Sequence, residues 1–334
     1  MKDDLTFSLR INNDVSVDDF VAMAQRAEQA GFDQVWLSND LLMHSALVGL
    51  TVAAMRTHRI KLGTGILNPY SMHPAEIAMF ALTFSTLADG RLLLGIAAGA
   101  EDFLSWVGIE RARPMATTRA AIVALRHLIE GDAHTPDGWT ADSYLRVQGG
   151  EQPVPIYLGA MSPRMMAMAG ELADGVLPLL FPPERYVEAR AQISAGAQAH
   201  GRSIEDIDVP VCVWCSIDDD SATATSALAI KVAYYGPSFS PSVLGGLGLT
   251  ARDLEPARAA LANGDLSGAE RLLPSAALSL GIAGNADEVI ERISRLLDLG
   301  ADHVSFGPPL GPNVPRAIAL LHSKVLPAVR RSMG

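Results

Sequence analysis

The sequence has few cysteines, and their spacing argues against a disulfide. Of the 334 residues only two are Cys, namely Cys212 and Cys215, and both lie in the apolar run Val211–Ser216. Successive side chains of a strand point to opposite faces, so residues three apart face away from each other. A free Cys behaves mainly as a small hydrophobic residue. We therefore expect both thiols to pack in the core, without a local disulfide or metal pair.

Basic residues are also in short supply. The chain carries 26 Lys and Arg against 37 Asp and Glu, which gives a formal net charge of −11. A protein that binds nucleic acid needs a cationic face to displace the counterions of the phosphates. The composition therefore predicts no nucleic-acid partner.

The sequence also shows no pattern typical of a membrane span, a signal peptide or a cluster of metal ligands. The uncharged stretch from Val232 to Ala251 contains glycines and prolines that would break a spanning helix, so no membrane segment is expected. Met1–Asp4 lack the apolar core of a signal peptide, and we expect a cytoplasmic protein. The eight histidines are scattered and imply no metal, and no G-x-S-x-G elbow points to a hydrolase.

A short motif that contains glycine recurs along the sequence. Hydrophobic residues make up 49% of it and charged residues 19%, which is enough apolar surface for a large core. Four times an amphipathic stretch runs into a glycine and then into an apolar run: Ala30–Asp33, Ala88–Arg91, Ala173–Val176 and Leu299–Asp302. The glycine is predicted to be the left-handed end of a helix, and the apolar run a buried strand.

Eight apolar runs are predicted to be strands, and most are separated by helical patterns. They are Leu5–Ile11, Gln34–Ser38, Ile60–Ile66, Leu92–Ala97, Val154–Gly159, Val176–Leu180, Val209–Ile217 and His303–Gly307. Alternation of this kind is typical of parallel strands with helical crossovers, and eight units favour a TIM (β/α)8 barrel formed by residues 1–334 as one domain. The alternative is an open doubly wound sheet, but its G-x-G-x-x-G turn is missing where Arg10–Asp14 stands.

Two stretches are too long for ordinary loops of such a barrel. Residues 131–153 are predicted to form a hairpin-like excursion, and residues 218–280 a longer and mostly helical insertion. The active sites of barrels lie at the carboxyl ends of their strands, where insertions build lids and pocket walls. Both stretches are candidates for that position.

Polar residues follow four of the predicted strands at this end. The segments are Asn39–His44, Leu67–Pro74, Ala98–Asp102 and Gly159–Arg164. The last begins a helix, and its free backbone N–H groups, the hydroxyl of Ser162 and the guanidinium of Arg164 suit a phosphate. The other interpretation of this segment is an ordinary helix capped by a serine, and the segment alone does not decide between them.

At this point the chain resembles a known family. The run Ile60–Pro74 is similar to the third-strand signature of the luciferase-like oxidoreductases, above all of their methylenetetrahydromethanopterin reductase branch. Further segments match in the same order along the chain: Gly31–Trp36, Gly90–Gly95, Val154–Gly159, Ala169–Val176, Ile282–Val289 and Phe306–Pro312. The resemblance spans almost the whole chain. It implies a TIM barrel, a homodimer and a small-molecule substrate.

The resemblance also implies a coenzyme and the residues that bind it. The coenzyme is expected to be the 8-hydroxy-5-deazaflavin coenzyme F-420, with FMN as the alternative. A non-prolyl cis peptide that supports the ring in the family maps onto Gly65–Ile66. Carried over in the same way, Asn39 and Asn68 would contact the ring, Ala98 and Gly99 its flank or side chain, and Gly159, Ala160, Met161 and Ser162 its phosphate.

This chain departs from the family at the proton donor. Many deazaflavin relatives carry an Asp-His pair after the second strand, where this chain has Asn39-Asp40. A carboxylic acid can replace the imidazole if desolvation raises its pKa, so Asp40 is the preferred catalytic acid. Glu101 is the second choice. His44, like His73, could also donate a proton, but an isolated loop histidine is more often a surface residue.

The predicted activity is a hydride transfer. Reduced coenzyme F-420 would donate to an electron-poor C=C or C=N bond of a small organic substrate, while the protein orients both and supplies a proton. The first strand, Phe7–Asn13, lacks the acidic residues of the methanopterin reductases, so the archaeal substrate is not expected. Two alternatives stay open: an FMN-dependent two-component monooxygenase, and a non-catalytic relative that binds the cofactor.

Overall fold

The structure is a computed structural model that describes residues 5–130, 138–140, 153–236 and 239–331. Along these residues strands alternate with helices. In chain order they are β1 Thr6–Ile11, α1 Val17–Gln29, β2 Gln34–Leu37, α2 Ala46–Ala54, β3 Lys61–Thr64, α3 Pro74–Leu87, β4 Leu92–Ile96, α4 Glu101–Trp106, α5 Pro114–Glu130, β5 Ile156–Ala160, α6 Pro163–Leu172, β6 Gly175–Pro178, α7 Tyr186–Ala199, β7 Val211–Ile217, α8 Ser221–Tyr235, α9 Pro241–Gly245, α10 Ala251–Ala262, α11 Leu266–Leu272, β8 Ile282–Gly284, α12 Ala286–Asp298, β9 His303–Leu310, α13 Val314–Leu320 and α14 Leu326–Arg331.

The chain forms two compact units. The first unit comprises Phe7–Pro178 and Glu188–Pro210, and the second comprises Met1–Thr6, Leu179–Val187 and Val211–Gly334. In the first unit β1 to β6 pair in chain order, and every pair is parallel. In the second unit β7 pairs in parallel with both β8 and β9. The protein is therefore an α/β protein with parallel strands. The closed barrel and the single domain stay predictions.

At the first copy of the glycine motif, the residues at both ends of helix α1 have the structure that the sequence indicates. Ser16 caps α1, since its hydroxyl accepts a hydrogen bond from the Asp19 N–H at 3.1 Å. Gly31 ends the helix region with a left-handed backbone, φ 81°. In the fourth copy of the glycine motif, Gly300 has a left-handed backbone as well, φ 90°. Helix caps and left-handed glycines depend on a few adjacent residues, so the sequence alone predicts them.

The third copy of the glycine motif is different. The prediction that its glycine ends a helix was wrong. Gly175 does not end α6 but is the first residue of β6; the helix ends at Leu172, and the following Ala173 has an extended backbone. A Cβ at Gly175 would lie 2.2 Å from the ring of Tyr157. The glycine is therefore required by the close approach of an aromatic ring from the neighbouring strand.

All eight predicted strands are present, with ends shifted by at most three residues. A ninth, β8, was missed because it has three residues only, Ile282–Gly284, too few to show a period. Residues 218–280 are mostly helical, as expected, and α8, α10 and α11 belong to this stretch. Of the excursion expected at residues 131–153, all but 138–140 and 153 lie outside the described residues.

The second unit has its own apolar core, built around Phe181, Trp214 and Phe239. The Phe181 ring meets Trp214 and Phe239 edge-on at centroid distances of 4.6 and 5.1 Å. Cys212 and Cys215 are buried and form no disulfide, which confirms that they are packing residues. Burial raises the pKa of Cys215 to about 12, so its thiol stays protonated and unreactive. No helix in the described part of the chain has the length and apolarity that a membrane crossing requires.

Candidate active site

Four neighbouring strands of the first unit end side by side and carry the predicted site segments. Leu37 of β2 lies opposite Thr64 of β3, and Ile96 of β4 lies opposite Leu158 of β5. An isolated bridge between Leu67 and Ile96 joins the middle two strands. The segments that follow β2, β3, β4 and β5 are therefore adjacent at one edge of the sheet.

The chain leaves the regular ladder at Gly65 and Ile66. The peptide bond between these residues is cis, at the position where the resemblance placed one. The Gly65 N–H donates to the carbonyl of Leu37 at 2.8 Å, and the Leu67 N–H donates to the carbonyl of Gly95 at 2.8 Å. The bulge is thus attached to β2 on one side and to β4 on the other.

The Ile66 side chain packs where two glycines leave room. A Cβ at Gly95 would lie 3.3 Å from Ile66 Cγ2, and one at Gly159 would lie 3.5 Å from the same methyl. The Gly159 position would also be 2.9 Å from the Ala97 Cβ, closer than real Cβ atoms approach. A Cβ at Gly95 would therefore press on Ile66, whereas one at Gly159 would touch Ile66 at an ordinary contact distance and clash with Ala97. Here the structure brings together Gly65, Ile66 and Gly159 of the predicted site.

Asn68 is held by its own loop. Its Oδ1 accepts hydrogen bonds from the N–H of Tyr70 at 3.2 Å, the N–H of Ser71 at 2.9 Å and the Ser71 hydroxyl at 3.1 Å. Its Nδ2 donates to no residue that the structure describes. A Cβ at Gly99, where φ is +72°, would lie 3.2 Å from this nitrogen. The carboxamide is thus oriented, and its donor end borders the backbone of Gly99.

Asn39 repeats this arrangement after β2. Its Oδ1 accepts from the N–H of Ala46, at the start of α2, at 3.1 Å. Within the described ranges its Nδ2 also donates to no partner. Both predicted ring contacts therefore offer an amide donor whose rotamer is fixed through the oxygen. Ala98, which precedes Gly99 in the chain, is buried at 5% exposure.

The segment after β5 forms a helix start. Ser162 caps α6, and its hydroxyl accepts from the Met165 N–H at 3.3 Å. Ala160 is buried, whereas Met161 is 62% exposed. Arg164 is exposed and has no hydrogen bond or ion pair to any described residue. The helix start, with its positive end and an unpaired guanidinium, is compatible with an anion and equally with a plain capped helix.

The three candidate acids lie in different surroundings. Asp40 is half-buried, with its backbone bonded to Asn13. The Glu101 side chain is 76% exposed, and its carboxylate lies 3.4 Å from Nη1 of Arg111. His44 is exposed. Of the three, Asp40 has the least contact with water, which is what a general acid with a raised pKa requires.

Sequence reasoning missed the importance of Asn13. This residue, 1% exposed, bonds through its side chain to Ser38, Asp40 and His44. In the sequence this region stands out only for what it lacks, namely the glycine fingerprint at Arg10–Asp14 and acidic residues along Phe7–Asn13. A polar residue at the carboxyl end of a predicted buried strand was the signal that could have revealed it.

An aromatic layer lies below the strand ends. The rings of Trp36 and Tyr157 meet at a centroid distance of 4.9 Å, and the Tyr157 hydroxyl donates to the Asp208 carboxylate at 2.7 Å. Burial, reinforced by the Asp208 charge, raises the pKa of Tyr157 well above its usual value. This phenol stays neutral and serves as packing for the strands that carry the site.

The described part of the 131–153 excursion reaches the loop after β3. The ring of Trp139 stacks on that of His73 at a centroid distance of 5.6 Å. His73 caps α3, and its Nδ1 accepts from the N–H of Ala75 at 3.2 Å. The neutral ring therefore carries its proton on Nε2. Among the described residues no group of three His, Cys, Asp or Glu side chains could hold a metal ion.

Comparisons with known proteins give similar sequences over most of the chain. The model of the luciferase-like monooxygenase family matches residues 6–303. The chain is 34% identical to a 5,10-methylenetetrahydromethanopterin reductase of Methanolobus tindarius, over 91% of this chain and 94% of that protein. It is 30% identical to a coenzyme F-420-dependent glucose-6-phosphate dehydrogenase of Microbacterium testaceum, over 91% of each.

A solved structure is similar over the full length. The coenzyme F-420-dependent tetrahydromethanopterin reductase of Methanopyrus kandleri superposes with a TM-score of 0.85 at 28% identity, covering 97% of this chain and 99% of that one. Similarity at this level extends through both units.

Proposed function

The chain belongs to the luciferase-like monooxygenase family, and on that basis we propose that it is a coenzyme F-420-dependent oxidoreductase. We propose further that it reduces an electron-poor C=C or C=N bond of a small organic substrate. Relatives with this coenzyme in their names support the choice over FMN. The second candidate is the FMN-dependent two-component monooxygenase, which the name of the family favours.

One observation of the site carries the proposal. Two amide nitrogens, Asn39 Nδ2 after β2 and Asn68 Nδ2 two residues beyond the Gly65–Ile66 bulge, have fixed orientations and no partner among the described residues. A planar heterocycle with carbonyl oxygens and ring nitrogens would satisfy both donors, while the bulge would lie against its face. Ala98 and Gly99 would contact its flank, and Gly159, Ala160, Met161 and Ser162 its phosphate.

The coenzyme supplies the hydride when it is bound, and the chain's own residues orient the ring and hold the proton. The amides of Asn39 and Asn68 orient the ring. Asp40 holds the proton that the product needs, and Glu101 and His44 are the other acids in the same loops. Asp40 is preferred because it is the half-buried acid among these three. Proton transfer by a positioned acid typically contributes roughly 10²–10⁴-fold to the rate.

The rim of the site favours a substrate with an apolar part. Large hydrophobic side chains are exposed in the segments after β2, β4 and β5: Leu42, Met43, Trp106 and Met161. Single exposed hydrophobic residues are common, but a set in the segments that follow neighbouring strands at one edge of a sheet is typical of a binding mouth. We therefore propose a small, partly apolar molecule rather than a sugar phosphate.

Family membership also supports the remaining predictions about the whole protein. We propose a closed TIM (β/α)8 barrel, a homodimer and a cytoplasmic location. The homodimer has support of its own in α2 and α3. Helix α2 contains no charged residue, yet Val48 is exposed, and Met79 and Leu87 of α3 are exposed as well. A monomer would be expected to carry charged side chains on the outer faces of such helices.

Titration with the two coenzymes tests the proposal. Purified protein is titrated with oxidised coenzyme F-420 and, separately, with FMN, and binding is followed by fluorescence. We expect the deazaflavin to bind more tightly. Tight FMN binding without deazaflavin binding would favour the monooxygenase, which would also consume oxygen in the presence of its substrate.

Turnover assays test the reaction. Reduced coenzyme F-420 is incubated with methylenetetrahydromethanopterin and with a panel of activated alkenes and imines, and oxidised coenzyme with glucose 6-phosphate. We expect coenzyme oxidation with members of the alkene and imine panel. Coenzyme binding without turnover of any compound would favour the non-catalytic relative.

A further inference from the structure

We propose that Asn13 is a positioning residue that clamps the segment Asp40–His44 at both of its ends and so fixes Asp40 at the site. The role of Asp40 as proton source rests on the proposed function. The clamp itself rests on hydrogen bonds alone.

The first end of the segment is held at Asp40. The Asp40 N–H donates to Asn13 Oδ1 at 3.2 Å, and the Asp40 carbonyl accepts from Asn13 Nδ2 at 2.9 Å. One carboxamide therefore binds both backbone polar groups of the same residue. The two peptide planes on either side of the Asp40 Cα are fixed in this way, and they determine the direction of its Cα–Cβ bond.

The second end is held at His44 by the same residue. Asn13 Nδ2 donates to the His44 carbonyl at 2.7 Å, and the His44 N–H donates to the Asn13 carbonyl at 3.1 Å. Between the ends, Leu42 has a left-handed backbone, φ 68°, and a side chain that is 73% exposed. A short segment with an exposed tip depends on the bonds at its ends to keep one conformation.

Asn13 is itself fixed and cannot be replaced by another residue type without loss. Its Oδ1 accepts from the Ser38 hydroxyl at 2.8 Å, and its N–H donates to the Ser38 oxygen at 2.9 Å. The position needs one acceptor and two donors on a short side chain, and Asn is the residue that provides them. Aspartate keeps the shape but turns both donors into acceptors that face carbonyl oxygens.

A buried Asn could instead stabilise the whole unit without a special role for Asp40, and amide hydrogen exchange separates the two roles. Asn13→Asp and Asn13→Ala are compared with Thr57→Val. Thr57 is also 1% exposed; its hydroxyl donates to the Ala53 carbonyl at 2.8 Å and accepts from Arg91 Nη1 at 3.0 Å. We expect exchange at Asp40 and His44 to rise by about tenfold or more in the Asn13 variants, with amides of Ile156–Ala160 no more affected than in the control. A uniform rise across the first unit would overturn the proposal.

A double-mutant comparison tests whether Asn13 acts through Asp40. With the substrate identified in the turnover panel, Asn13→Asp should lower kcat and leave the affinity for coenzyme F-420 unchanged. In an Asp40→Asn background it should have no further effect on kcat, since residues that act as a unit are not additive. If the double variant lowered kcat by the product of the two single effects, the positioning role would be overturned. If the wild-type protein bound no coenzyme F-420, the proposed function would fail, while the exchange measurement on the free protein would still decide on the clamp.

Discussion

The hydroxyl of Thr64 lies between the two backbone polar groups of Gly95. It accepts from the Gly95 N–H at 2.8 Å and donates to the Gly95 carbonyl at 3.1 Å. The chain turns into the Gly65–Ile66 bulge directly after Thr64, so the side chain serves as a partner of β4 where the regular backbone ladder stops. The support of the bulge thus depends on a threonine that the sequence does not distinguish from others.

Thr64→Val should lower the free energy of unfolding by about 1–3 kcal/mol. Valine has nearly the same shape but leaves the buried Gly95 N–H without its partner. Urea denaturation measures the change. Thr51→Val is the matched control, because the Thr51 hydroxyl only donates to the Leu47 carbonyl within α2. Equal effects of the two substitutions would contradict the role assigned to Thr64.

Gly95→Ala should destabilise the protein by about 1–3 kcal/mol or more and abolish coenzyme binding. The added Cβ would lie 2.0 Å from the Thr64 carbonyl oxygen, so β3 and the bulge must move. Thermal unfolding and the fluorescence titration report the two effects. At Gly245 a Cβ meets nothing within 4 Å, and Gly245→Ala should be neutral or slightly stabilising. Normal coenzyme affinity in Gly95→Ala would refute the prediction.

Asn68→Asp should weaken the binding of coenzyme F-420 by about 10–100-fold while the fold is retained. The carboxylate can still accept the bonds from Tyr70 and Ser71, but the donor that we assign to the ring is lost. The affinity is measured by fluorescence. Asn313→Asp, which exchanges one good helix cap for another at α13, should change nothing. Unchanged affinity in Asn68→Asp would remove Asn68 from the site.

Asp40→Asn should reduce turnover by roughly 10²–10⁴-fold with little change in coenzyme affinity, because the shape is kept and the proton is lost. Glu101→Gln should have a small effect, since the Glu101 carboxylate is exposed and paired with Arg111. Steady-state kinetics on both variants decide between the acids. Full activity of Asp40→Asn would exclude Asp40, and a large loss in Glu101→Gln would select Glu101.

Light scattering should give the mass of a dimer, and the double variant Val48→Lys/Met79→Lys should give that of a monomer. Both side chains are more than half exposed on the apolar helices α2 and α3. Leu266→Lys, at a similarly exposed position of α11, is the control and should remain a dimer. A monomeric wild-type protein would contradict the homodimer, and a dimeric double variant would move the interface elsewhere.

The sequence by itself determined the elements whose signals are local. Eight apolar runs became strands, Ser16 became a helix cap, and Gly31 and Gly300 became left-handed helix ends. Each depends on residues a few positions apart along the chain, where propensity and capping act directly. The family also followed from the sequence, because its motifs occur in a fixed order over nearly the full length.

Only the tertiary structure decided how these segments act on one another. Gly175 is a strand residue because the ring of Tyr157 lies against it, and Gly95 is required because the Thr64 carbonyl approaches it. Asn13 became part of the site through bonds to residues 25 to 31 positions away. Such contacts form when parallel strands bring distant segments to one edge of a sheet, and nothing in the local pattern of a single segment records which partner it will meet.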